Sequence, residues 1–134
     1  MKNIQIFFLM FSFSVFSQTT FEKAEKLYAH KKYNEAEKLF SEHLKSQPNH
    51  AKTIEYLGDI AGHQKDWDAA IANYKKLKVS YPKNANYWYK YGGALGMKAK
   101  ESNKFKALGM IDEVEESLLT AVKLDSKHIE TRWA

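Results

Sequence analysis

The sequence predicts an all-α protein of stacked antiparallel helix pairs, about three pairs and the start of a fourth. Three observations predict it. The first is internal repetition. With residues 17–50 set above residues 51–84, Lys31 falls on Lys65, Ala36 on Ala70, Ser46 on Ser80 and Pro48 on Pro82, always 34 apart. Ala24 with Gly58, Tyr33 with Trp67, Asn34 with Asp68 and Phe40 with Tyr74 are similar pairs at the same offset. The second is composition. The 134 residues include only two prolines and six glycines, and Ala, Leu, Glu and Lys, all good helix formers, carry much of the rest. The third is punctuation. Asn34 and Asp68 are of the type that caps a helix N-terminus, and each precedes a helical pattern. Pro48 and Pro82 lack the donor needed to continue a helix and close each unit.

The N-terminus reads as an address. Residues 1–17, MKNIQIFFLMFSFSVFS, have a lysine at position 2 and a nearly unbroken apolar run from Ile4 to Phe16. Val15 and Ser17 then supply compact side chains before a cleavage point, the layout of a secretory signal peptide. The run is shorter than the roughly 20 residues a membrane-spanning helix needs. An uncleaved anchor is the rival reading. The signal reading makes Gln18 the mature start, places the chain in the periplasm or outside a bacterial cell, and leaves no stable membrane insertion after cleavage.

The helical domain then covers residues 18–134 as repeats of about 17–50, 51–84 and 85–126, with a partial unit over 127–134. Small residues at Ala24, Gly58, Ala36 and Ala70 mark places where the two helices of a unit cross closely, and Phe40 and Tyr74 fill the space beside them. The third unit opens with Trp88, Tyr91, Gly92 and Leu95, then loses register at Lys104 and regains it ten residues later. There Asp112 takes the capping place, followed by Val114, Leu118 and Ala121, and Ser126 replaces the proline. An insertion near residues 100–110 explains the shift. Phe105, Leu108, Ile111, Val114, Leu118 and Ala121 keep helical spacing, so the second helix of this unit is expected to extend back to about Lys104. A looped-out insertion, favoured by Gly109, is the alternative. A fourth unit counted from Lys127 places Trp133 and Ala134 at its positions 7 and 8, in a first helix with no second. The expectation is an incomplete unit, or an end that docks on something, including a second copy.

These residues resemble the tetratricopeptide-repeat (TPR) family of exported bacterial type. Its pattern asks for large residues at positions 4 and 7, a small one at 8, Ala at 20, an aromatic at 24 and Pro at 32. The second unit answers with Ile54, Leu57, Gly58, Ala70, Tyr74 and Pro82. The first unit keeps Ala24, Ala36, Phe40 and Pro48 but departs at Thr20, Lys23 and His43, as a polar end cap does. The resemblance implies a right-handed superhelix, an α-solenoid whose first helices line a concave groove for a protein or peptide. It places Phe21, Glu25 and Tyr28 of unit one in that groove. Lys52, Glu55, Asp59 and His63 come from unit two, and Asn86, Tyr89, Lys90 and Met97 from unit three. Tyr89, Tyr28 and Phe21 are the candidate anchors, although Tyr28 and Phe21 could equally pack against the next helix. The places where family members clamp a chaperone's C-terminal carboxylate hold Phe21, Glu25, Tyr56, Asn86 and Lys90, so that clamp is not expected.

Other chemistry finds little footing. There is no cysteine, hence no disulfide, thiolate nucleophile or lipidated N-terminal Cys. His30, His43, His50, His63 and His128 form no i,i+4 pair of the HExxH kind, so no metal is expected. The net charge of +5 is dispersed, with no block of five like charges, which argues against nucleic acid as partner. The run Gly92-Gly93-Ala94-Leu95-Gly96 lacks the spacing of a phosphate loop. It reads either as close helix packing or as an open groove floor. The expected function is therefore an exported interaction scaffold without catalytic residues or cofactor. The alternative is a small-molecule-binding or enzymatic subunit that uses the glycine-rich helix.

Overall fold

In the computed structural model residues 19–127 are described. The expected signal segment, Gln18, His128 and the opening of the fourth unit at Trp133 lie outside them. Among the described residues six helices follow one another: α1 Thr20–Ala29, α2 Tyr33–Ser46, α3 Ala51–His63, α4 Trp67–Ser80, α5 Ala85–Glu101 and α6 Lys104–Leu124, and Ser126 and Lys127 are helical again. Among the described residues there is no strand. Each helix packs mainly on its neighbours in chain order, α1 on α2 through to α5 on α6. That is the one-dimensional stacking of a helical-repeat solenoid.

Caps explain where most helices begin. Thr19 Oγ1 accepts from Glu22 N at 3.2 Å and Asp66 Oδ1 from Ala69 N at 3.1 Å. Asn84 Oδ1 accepts from Tyr87 N at 3.3 Å, and Asn103 Oδ1 from Lys106 N at 3.0 Å. His50 caps α3 through Nδ1, which accepts from Thr53 N at 3.3 Å. The expectation that Asn34 and Asp68 cap the second helices is corrected. Both lie inside the first turn, one residue past helix starts at Tyr33 and Trp67. The cap positions are Lys32, which offers no side-chain bond, and Asp66. The reason lies in how α1 and α3 end. Lys31 and Lys65 sit at φ 59° and 60°, in the left-handed region. Lys32 N then reaches Leu27 O at 2.9 Å and Asp66 N reaches Ala61 O at 2.9 Å. This double-bonded helix ending turns the chain within one residue, so the next helix starts earlier than the repeat pattern suggests.

The insertion lengthens both helices of the third unit. Helix α5 has 17 residues against 13 in α3, and α6 has 21 against 14 in α4. Helix α6 starts at Lys104 and runs unbroken through Gly109, so the backward extension holds, and Asp112 lies within the helix rather than at its cap.

The core falls into two clusters. Ala24, Ala36, Phe40 and Ile60 bind the first three helices together. Ile54, Ala70, Tyr74, Leu77, Tyr87, Tyr91 and Leu95 join α3, α4 and α5. The small repeat positions do what their size implies. A Cβ on Gly58 would stand 2.5 Å from the Tyr74 ring, and one on Gly92 would stand 3.0 Å from Ser117 Cβ. Gly92 is therefore close packing between α5 and α6.

Candidate partner-binding groove

The first helices of the three units, α1, α3 and α5, carry the residues expected to face a partner. A ladder of side-chain bonds crosses from each of these helices to the next. Tyr56 Oη donates to Glu25 Oε1 at 3.1 Å, from α3 to α1. One unit later Lys90 Nζ donates to Asp59 Oδ1 and Oδ2 at 2.6 and 2.8 Å, from α5 to α3. Both links join residues 31 apart, from position 6 of one unit to position 9 of the unit before. Asn86 Nδ2 donates to Glu55 Oε1 at 3.0 Å, again 31 apart.

The middle of the ladder is a half-enclosed charge cluster. Lys90 also meets Glu55 Oε1 at 2.8 Å, and its side chain is only 13% exposed, against 11% for Glu55 and 21% for Asp59. Lys52 approaches Glu55 Oε2 at 3.4 Å from the solvent side. Tyr74 Oη donates to Asp59 Oδ1 at 2.6 Å. Two carboxylates thus share one enclosed ammonium and one exposed one, and formal charge balances. Burial alone pushes the Glu55 carboxyl up, but the bonds and charges of Lys90 and Lys52 outweigh it and hold the group below its ordinary value. Burial, then the neighbouring Asp59 carboxylate, push the Tyr74 phenol far above its ordinary range, so it stays a donor.

The aromatic end, at α1, is packed rather than open. Phe21 lies 5.8 Å from the Phe40 ring, 5.0 Å from His50 and 6.2 Å from Tyr56. Tyr28 meets Tyr56 at 4.9 Å and Tyr33 at 5.6 Å. Packing against the next helix is therefore the arrangement found for both, and burial raises the Tyr28 phenol to about 12. His63 stacks on Tyr33 at 4.4 Å and stays exposed on its other side.

The α5 side is more open. Met97 is 38% exposed, and Tyr89 is half-buried. A Cβ on Gly93 would have no atom within 4 Å. Of the glycine run, then, Gly92 is buried contact, a Cβ on Gly96 would stand 3.7 Å from Val114, and Gly93 is open. Of the expected groove residues, Glu25, Lys52, Glu55, Asp59, Asn86 and Lys90 are brought together in the ladder. Lys52, His63, Gly93 and Met97 keep the most accessible surface.

Sequence reasoning missed the roles of Tyr56 and Tyr74 as donors to Glu25 and Asp59. It also missed two outer links, the short Lys98–Asp68 pair and Trp67 Nε1 to Glu101 Oε2 at 2.9 Å. A search for polar pairs near one repeat length apart would have found most of them. Among the described residues no helix is long and apolar enough to cross a membrane.

No protein-family model matches the sequence, and no curated protein does. Among solved structures the chain is similar to a thermophilic TPR protein of Thermus thermophilus, with a TM-score of 0.71 at 18% identity. The match covers 81% of this chain and 56% of that one, so the chain spans little more than half that neighbour's length. With six helices stacked in order, this likeness shows a TPR-like fold, an all-α helical-repeat solenoid.

Proposed function

We propose that the chain is an exported, non-enzymatic scaffold that binds a peptide or protein segment along α1, α3 and α5. The observation that carries this reading is the division of labour on that face. A pre-satisfied ladder through Glu55, Asp59 and Lys90 holds neighbouring units in register, while Gly93 leaves room at the floor beside it. A surface whose charges are already paired is pre-organised, and binding then costs less ordering. Lys52, His63 and Met97, exposed on these helices, and half-buried Tyr89 set the preferences of this face. The signal-like residues 1–17 support export.

The small-molecule alternative draws on an open apolar cavity of about 530 Å3 beside Gly96. Its lining brings in one carboxylate, Glu115, and no histidine, so it lacks the converging groups that acid–base work needs.

Gly93→Leu tests the groove directly. It adds a side chain into open space and replaces a helical glycine, so stability should rise by about 0.5–1 kcal/mol. Partners captured by the wild-type chain in the exporting organism should be lost from this variant and weakened by Tyr89→Ala. An unchanged set of partners, with the variant folded, removes the groove proposal. N-terminal sequencing of the exported protein should begin at Gln18.

A further inference from the structure

Helices α5 and α6 carry an apolar groove on a face away from α1 and α3. Ile111, Leu118, Leu119 and Val122 of α6 line it over Gly96 and Ala99 of α5, with a volume of about 530 Å3. Ile111, Leu119 and Val122 are 48%, 48% and 42% exposed. Along the same helix Leu108 is 56% and Phe105 88% exposed. Exposed apolar surface of this continuity marks an interaction site.

The molecule already shows what covers such a face. Setting Ala70 on Val114 and Leu77 on Ala121 places α4 over α6, 44 residues apart. Trp67 then corresponds to Ile111, Ile71 to Glu115, Lys75 to Leu119 and Lys78 to Val122. On α4 most of this face is covered, at Trp67, Ile71 and Lys78, while Lys75 stays exposed. Lys78 Nζ lies 4.4 Å from the Trp88 ring and 4.0 Å from the Tyr91 ring, and Ile71 packs on the core. Helix α6 is thus apolar where α4 presents ammonium groups, and acidic where α4 presents Ile71. It is less fit for solvent than a face that is known to be covered.

Charge narrows the occupant. Between Lys106 and Lys123, α6 holds Asp112, Glu113, Glu115 and Glu116 and no base. Tyr91 engages Glu113, and no described residue forms an ion pair with Asp112 or Glu115. A second copy docked α6 to α6 would set this acidic stretch against itself, which like-charge repulsion opposes. We propose that this face of α6 is a second docking surface, which receives a basic amphipathic helix of another polypeptide, seated on α6 as α5 is seated on α4. Aliphatic side chains of that helix enter the groove over Gly96 and Ala99, and a Lys or Arg meets Glu115 and Asp112. The groove runs from Ile111 to Val122, a rise of about 16 Å, so the occupant spans about three turns.

The test uses the full chain and two labelled helical peptides of about 14 residues. Both carry aliphatic residues at i, i+4, i+7 and i+11. One carries lysines between them and the other glutamates. By fluorescence anisotropy the basic peptide should bind saturably and about tenfold more tightly than its acidic twin, a difference of about 1.4 kcal/mol. Glu115→Lys should reverse that order, and Leu119→Asp should abolish binding. Both residues are exposed on α6, so circular dichroism should be unchanged. Gly93→Leu should leave binding as it is, which separates this surface from the groove on the other helices. Equal binding of the two peptides, or binding that survives Leu119→Asp, overturns the proposal. So does binding that appears only once residues 128–134 are removed, because the chain's own end would then fill the groove. A dimer abolished by Leu119→Asp also overturns it, in favour of a second copy.

Discussion

Lys31 and Lys65 hold φ near +60° one repeat apart. Each stands where a helix ending of this geometry ordinarily has glycine, because a Cβ there crowds the backbone. The helix-ending bonds of Lys32 and Asp66 keep the conformation in place. Lys31→Gly and Lys65→Gly should therefore each stabilise the fold by about 0.5–1 kcal/mol, less whatever entropy the more flexible residue gives the unfolded chain. A thermal melt that shows a loss at both positions would contradict the strain. Lys90 poses the opposite case. Lys90→Met leaves the Glu55 and Asp59 carboxylates side by side with Lys52 alone to offset them, and should cost about 3 kcal/mol. The pH dependence follows from Glu55, whose pKa is lowered in the folded state. A depressed carboxyl contributes stability in full above its unfolded value, and that contribution is lost as pH falls through the lower folded value. The melting temperature should thus fall as pH drops below about 4.5, with a shallower fall in Glu55→Gln. Identical profiles for the two proteins would mean that the carboxyl is not held by Lys90.

Helix boundaries show what repetition and residue type can reveal. The breaks near Pro48 and Pro82 were legible because proline acts through its own missing donor. The start of α6 at Lys104 was legible because apolar spacing stays helical through the insertion. The caps of α2 and α4 were not. Asp68 looked like a cap because it precedes two alanines, yet the tight ending of α3 at Lys65 hands the cap to Asp66. A lysine in the left-handed region gives no compositional sign of itself. For the expected groove residues, the helix that carries each was legible and the side chain's partner was not. Glu55 and Lys90 look like members of a solvated helix face, and only stacking encloses them. The uncapped start of α2 carries its own prediction. Lys32 has φ −84° and ψ 64°, close to the −81° and 78° of the capping Asp66. Lys32→Asp should place a carboxylate within reach of the free amide of Glu35 and stabilise by about 1 kcal/mol. The ion pair it removes, Lys32 with Glu35 at 3.9 Å, is more than half exposed on both sides and contributes little. No gain in the melt would place the cap geometry in doubt.

Across the whole molecule, coupling travels from each helix to the next, because contacts between helices distant in the chain are few. A linear stack of this kind loses structure from its weakest interface outward rather than all at once. The first unit depends on Phe40, fully buried between Ala24, Ala36 and Ile60 and stacked on Tyr56 at 4.6 Å. Phe40→Ala should remove about 3–5 kcal/mol there. Little of that loss should reach α5 and α6, which hold each other through Gly92 against Ser117 and Leu118 and through Tyr91 with Glu113. Amide hydrogen exchange should then rise steeply in α1 and α2, moderately in α3 and least in α6. Phe40 touches α3 directly through Ile60 and Tyr56, which is why α3 should lose protection while α6 keeps it. Uniform loss of protection from α1 to α6 would show instead that the three units fold as one cooperative block, and that the ladder transmits order along the stack rather than merely setting its register.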